Sequence, residues 1–120
     1  MKKRKLKITI IANNSKEEYN VLGIYDIENR RLEYQETKNL ITHVILDLKN
    51  KILVRENKDY YLEYQLLESK ITENKIDIKE FNQSMTIKII TEKFMIENNK
   101  VEIIYNILDS EEKVEYTVEF

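Results

Sequence analysis

Apolar and polar residues alternate with period two along nearly the whole chain. In the last stretch Val114, Tyr116, Val118 and Phe120 fall on one side of an extended backbone, with Glu115, Thr117 and Glu119 on the other. Successive side chains of a strand point to opposite faces, so this is a strand with one face buried. The same reading begins at residues 5–12, where Leu6, Ile8 and Ile10 are in phase. It continues at 18–27, where Tyr19, Val21, Tyr25 and Ile27 are in phase around Gly23. A glycine inside a strand marks a bend, a bulge or a close backbone approach. Residues 31–36 carry Leu32 and Tyr34 on one face; 40–48 and 51–56 read as a hairpin about Lys49-Asn50; 77–81, 84–91, 100–108 and 113–120 complete the set.

One segment reads two ways. In residues 60–71, Tyr60, Tyr64, Leu67 and Ile71 match a helical face, whereas Tyr60, Leu62, Tyr64 and Leu66 match a strand. Glu and Gln favour the helix, the tyrosines favour the strand, and strand is the preferred reading. The turns between segments are rich in asparagine, which visits positive φ more readily than other non-glycine residues and replaces the usual turn glycine. Connections this short favour pairing between chain neighbours. The expectation is therefore all-β: one domain, residues 1–120, folded as an antiparallel up-and-down barrel of about eight strands. Such a barrel is just wide enough to be filled by side chains or to hold one small ligand, and closure removes the sheet edges.

Composition narrows the function classes. Charged residues make up 35% of the chain, but 20 Lys and Arg nearly cancel 22 Asp and Glu, leaving a net charge of −2. A dedicated nucleic-acid binder shows a basic excess, so no nucleic-acid partner is expected. No apolar run is long enough to span a membrane as a helix. After the basic start Lys2-Lys3-Arg4-Lys5, Lys7 and Thr9 break any apolar run, so neither a membrane nor an export signal is expected. Cysteine is absent, which fits a reducing cytoplasm. With one glycine there is no phosphate-cradling loop, dinucleotide fingerprint or nucleophile elbow. With one histidine and no cysteine the common zinc sites are excluded. His43 lies mid-strand and reads as solvent-facing or rim-bonded. Glutamates such as Glu102, Glu115 and Glu119 alternate with apolar residues as an outer face does. No catalytic residue, metal ligand or cofactor is expected.

Short motifs resemble a known family. Gly23-Ile24-Tyr25, then Leu32-Glu33-Tyr34-Gln35-Glu36, then Val54-Arg55 are similar to the early motifs of the YwiB-like family, small bacterial proteins of unassigned function with a calycin-like (lipocalin-like) β-barrel. Phe81-Asn82, Thr91 and Ile104-Tyr105 resemble that family's later landmarks. Asn57 and Asn82 stand where the family has glycine, which places them at left-handed turns. The stretch between Arg55 and Asp77 matches poorly, and the Phe81-to-Thr91 spacing is one residue long, as a bulge would make it. The resemblance implies a calycin-like barrel and no particular reaction.

The residues where these motifs are polar or amphipathic form the candidate ligand site: Tyr34, Glu36, Arg55, Thr91 and Tyr105. Strand parity permits either face for Arg55, with the balance slightly toward the outer one. If inside, its five donors need acceptors, and Glu36 is the partner expected. The function expected is a non-catalytic binding module for a small, partly apolar ligand. The alternative is an interaction or structural domain with a solid barrel, and an enzyme is the least supported class. Candidate partners are a small-molecule ligand and a second copy of the chain.

Overall fold

The alternating segments pair with their chain neighbours and the last pairs with the first. The computed structural model describes residues 2–37 and 40–120, and in it ten antiparallel strands close into a barrel. They are β1 (Lys2–Ala12), β2 (Ser15–Asp26), β3 (Arg31–Glu36), β4 (Thr42–Asp47), β5 (Ile52–Glu56), β6 (Tyr60–Gln65), β7 (Ile71–Ile78), β8 (Gln83–Glu97), β9 (Lys100–Ile107) and β10 (Glu112–Glu119). Closure is made between β1 and β10, in register from Lys7 opposite Glu119 to Ala12 opposite Val114.

The all-β, up-and-down reading holds, but the expected count of about eight is corrected to ten. The alternating segments themselves number ten, and two local effects displaced the bounds of the seventh and eighth. The inward face of β7 carries Thr72 and Asn74, both buried, so it lacks the apolar signature of its neighbours, and the strand lies at Ile71–Ile78 rather than 77–81. In β8 the pairing with β9 skips Glu92, since Thr91 faces Tyr105 and Lys93 faces Ile104. That bulge reverses the parity, so Thr91 and Phe94 both point inward. The alternation breaks at residue 91 while the strand runs on to Glu97. The bulge lies after Thr91, not between Phe81 and Thr91. The ambiguous segment is a strand over Tyr60–Gln65, followed by a turn, with Ile71 opening β7.

Turn chemistry explains the asparagines. Asn13 and Asn14, and again Asn98 and Asn99, have positive φ at both positions of two-residue loops, the geometry that matches the right-handed twist of the flanking strands. Asn82 is also left-handed, with φ 49°. Asn50 and Asn57 work differently. At the β4–β5 turn the left-handed residue is Lys51, and Asn50 instead donates its backbone and side-chain N–H to the Asp47 carboxylate at 3.0 and 2.9 Å. Asn57 is buried; its side-chain oxygen accepts from the N–H groups of Asp59 and Tyr60 at 2.9 and 3.0 Å, and its amide donates to Thr42 Oγ1 at 3.2 Å. The expected left-handed turn at Asn57 is thereby corrected to a side-chain-closed turn.

The barrel is packed more densely at one end. Where β1 begins and β10 ends, Leu6, Leu32, Leu46, Leu53, Leu66, Ile103 and Val118 are almost wholly buried. Tyr25 stacks on Phe120 at 4.9 Å, and Arg4 lies over the Tyr25 ring at 5.2 Å. Gly23 faces this interior: a Cβ there would lie 2.5 Å from Leu6 Cδ1 and 2.7 Å from the Glu33 carbonyl, so the close approach of β2 to β3 requires glycine. Beyond Gly23 the two strands part. They pair only from Ile24–Glu33 to Asp26–Arg31, and the upper half of β2 leaves a gap beside β3. His43 is on the outer surface, with Nε2 3.8 Å from Glu33.

The two asparagines expected at family glycine positions now separate. Asn82→Gly should leave the urea midpoint unchanged or raise it slightly, because glycine adopts left-handed φ without strain. Asn57→Gly should lower stability by about 1–3 kcal/mol through loss of its three hydrogen bonds. Equal midpoints for the two variants would contradict the turn assignment.

Candidate functional site

Ten strands make a wider lumen than eight, and at the end opposite the apolar plug that extra width holds polar side chains. Parity along each strand turns Tyr19 (β2), Tyr34 and Glu36 (β3), Thr42 (β4), Arg55 (β5), Tyr60 and Tyr64 (β6), Tyr105 (β9) and Tyr116 (β10) inward. The sequence carries eight tyrosines, and all of these but Tyr25 and Tyr61 meet in this half.

At the centre is an ion pair. Arg55 donates two parallel N–H bonds to Glu36, Nη1 to Oε2 at 3.0 Å and Nη2 to Oε1, in the fork geometry that suits guanidinium and carboxylate. Tyr19 donates to Oε2 of the same carboxylate at 2.6 Å, across the β2–β3 gap. The pair is substantially buried, the Arg55 and Glu36 side chains keeping 20% and 15% exposure. Burial opposes the charge on Arg55, but the hydrogen bonds and charge of Glu36 outweigh it, with Tyr60 adding to them, and hold the guanidinium firmly protonated. Arg55 is thus inside and paired, which corrects the slight preference for the outer face and gives the partner expected for the inner one.

Around the pair Tyr19, Tyr34 and Tyr105 stay neutral. Burial, then Tyr34, then the Glu36 carboxylate push the Tyr19 phenol far above its ordinary range. Burial and the Glu36 charge do the same at Tyr34, and burial with the neighbouring Tyr64 does so at Tyr105. Tyr34 and Tyr116 share a hydroxyl–hydroxyl bond. The Tyr64 and Tyr105 rings meet edge to face, centroids 5.6 Å apart.

Above the pair lies a cavity of about 440 Å³ that opens through the β2–β3 gap, within the size range of small-molecule sites. Ile10, Val21 and Leu40 give it an apolar wall; Tyr19, Glu36, Thr42, Arg55, Asn57 and Tyr60 give it a polar floor and rim. A shallower depression of about 500 Å³ sits at the β8–β9 turn among Met95, Glu97, Asn98, Lys100 and Phe120, but no buried polar group faces it. No group of His, Asp or Glu placed to hold a metal ion occurs among the described residues.

Of the five residues proposed from the sequence, Glu36 and Arg55 line the cavity. Tyr34, two residues before Glu36 on the same face of β3, lies one step deeper. Tyr105 packs beside Tyr64. Thr91 is opposite Tyr105 in the β8–β9 ladder, fully buried, its hydroxyl without a hydrogen-bond partner. Thr91, Tyr34 and Tyr105 are not in the cavity wall. Sequence reasoning missed Tyr19, Thr42, Asn57 and Tyr60 as members of the site. Tyr19 was in phase with Val21 and Tyr25, and Tyr60 with Leu62 and Tyr64, so their inward facing was readable; their convergence on one ion pair was not.

Fold and site together define a ten-stranded up-and-down barrel, plugged at one end and carrying an ion-paired, tyrosine-rich cavity at the other. Its fold is that of the ywiB protein from Bacillus subtilis: the crystal structure of that protein superimposes with a TM-score of 0.66 at 17% sequence identity, covering 96% of this chain and 87% of the other. No family model and no curated protein sequence matches the chain.

Breaking the pair leaves a buried carboxylate unmatched, so Arg55→Ala should cost about 3 kcal/mol, the low end for such a loss because the site is partly wet. Replacing both partners, Arg55→Met with Glu36→Leu, should recover most of that cost. A urea midpoint for Arg55→Ala equal to the parent's would show that the pair is solvated.

The tyrosines set an alkaline limit. Unfolded tyrosine ionises near pH 10, whereas Tyr19, Tyr34 and Tyr105 keep their protons in the fold. Their contribution is therefore complete below about pH 10 and is lost progressively above it. Urea midpoints should hold level to about pH 9.5 and then fall, with tyrosinate absorbance rising fully only on unfolding. A level midpoint through about pH 11 would contradict the burial of these hydroxyls.

Proposed function

We propose that this protein is a member of the YwiB-like family with a calycin-like barrel, and that it works in the cytoplasm as a non-catalytic binding module for a small, partly apolar ligand. The observation that carries this reading is the cavity itself: an apolar wall facing a preorganised cluster of hydrogen-bonding groups, reached through a gap between two strands. Sites for small molecules combine an apolar lining with a few fixed polar groups. Arg55 uses two of its five N–H donors on Glu36, so donors remain to orient a ligand.

A second reading, an interaction domain or homodimer, draws on Phe81 and Met85, which are 65% and 56% exposed at the β7–β8 hairpin. Exposed apolar groups clustered together mark contact surfaces.

Native mass spectrometry of the protein purified from its own host separates the two. Under the first reading the parent carries a small-molecule adduct, and Val21→Phe, which fills the cavity wall, loses it while keeping the parent's near-ultraviolet tyrosine spectrum. A bare monomer would overturn the binding-module reading; a bare dimer would replace it with the second.

A further inference from the structure

The charges around the cavity specify what kind of head group it accepts. Among its described lining residues the ionisable side chains of fixed charge are Glu17, Glu36 and Arg55, two carboxylates against one guanidinium. The one cation among these described residues is not free: Arg55 is held by both oxygens of Glu36, and Tyr19 donates to that same carboxylate. An anion reaching Arg55 would lie beside Glu36, where repulsion between like charges in a partly desolvated site offsets the attraction. An ammonium reaching Glu36 would meet Arg55 in the same way. An uncharged oxygen meets neither obstacle, because it can accept from the remaining Arg55 N–H groups with the ion pair intact.

We propose that the cavity takes an uncharged amphiphile, a carbonyl, amide or hydroxyl oxygen on an apolar chain, and that Glu36 is the residue that excludes anions. The inference rests on the binding-module reading and adds its ligand class. The oxygen lies at Arg55 and the chain along Ile10, Val21 and Leu40. Glu36→Gln keeps a hydrogen-bonding side chain of the same length but leaves Arg55 unneutralised, so it should invert the preference.

The test is calorimetric titration of the full chain near neutral pH with octanamide, octanoate and octylamine, which share an apolar chain and differ in head-group charge. Octanamide should bind the parent protein at least on the order of tenfold more tightly than either charged analogue. In Glu36→Gln, octanoate should gain on the order of tenfold and overtake octanamide, and Val21→Phe should abolish octanamide binding. The parent comparison needs no variant to fold. Octanoate or octylamine binding the parent as tightly as octanamide would overturn the inference and leave the binding module standing. Unchanged octanoate affinity in a folded Glu36→Gln would remove Glu36 from the role. Binding of none of the three to the parent, or octanamide binding undiminished in Val21→Phe, would overturn the inference and the cavity reading together.

Discussion

The ladder between β1 and β10 joins the two ends of the chain, and every property of the interior depends on it. Until Lys7 meets Glu119 and Ala12 meets Val114, the sheet is an open meander with two faces in water and no inside. Joining residues more than a hundred positions apart costs loop entropy on the order of 4 kcal/mol, a term that grows slowly with length. The compensation is collective. Closure removes two free edges and withdraws Leu6, Ile8 and Val118 from water on the strands it joins, each fully buried aliphatic side chain contributing about 1.5–3 kcal/mol.

Only a closed barrel makes the Arg55–Glu36 pair consequential. On an open sheet it would be one more surface ion pair, like Lys7–Glu18 at 3.0 Å with both side chains nearly half exposed, and such pairs contribute little. Inside, the same two charges lose most of their hydration and must satisfy each other. They do so with two parallel bonds, a third from Tyr19, and a surround of tyrosines whose rings supply apolar bulk while their hydroxyls supply polar ends.

The barrel has two seams where strand pairing fails, and the chain treats them differently. β6 and β7 pair only from Tyr60–Ile78 to Leu62–Ile76. Below that, Asn74 accepts from the Gln65 N–H at 2.9 Å and donates to Thr72, while Thr72 Oγ1 donates to the Gln65 carbonyl at 3.0 Å. Side chains there replace the missing ladder and the seam is shut. At the β2–β3 seam the bridge is one bond, Tyr19 to Glu36, and space remains. The difference lies in reach: a buried carboxamide pairs with backbone at close range, whereas a tyrosine spans from one strand to the far side of the gap and holds it open.

The alternation by itself determined the class of fold, because a period of two with short turns between segments leaves an antiparallel meander as the economical solution, and one inward face forces it to close. It also determined that Tyr19, Tyr34 and Tyr64 would share phase with core residues. It misplaced the bounds of β7 and β8 where the physical signal was inverted: Thr72 and Asn74 are polar yet inward, and the bulge at Glu92 shifts parity within β8. It left Arg55 undecided because a lone polar residue beside Val54 fits either face. Tertiary structure decided that question by bringing Glu36 from the neighbouring hairpin to meet it, and it decided which asparagines serve as left-handed turn residues and which close turns through their side chains. The ion pair, the tyrosines around it and the gap above it come from strands far apart in sequence. Which of them meet is set by strand order, register and barrel width, and no local pattern of residues encodes those.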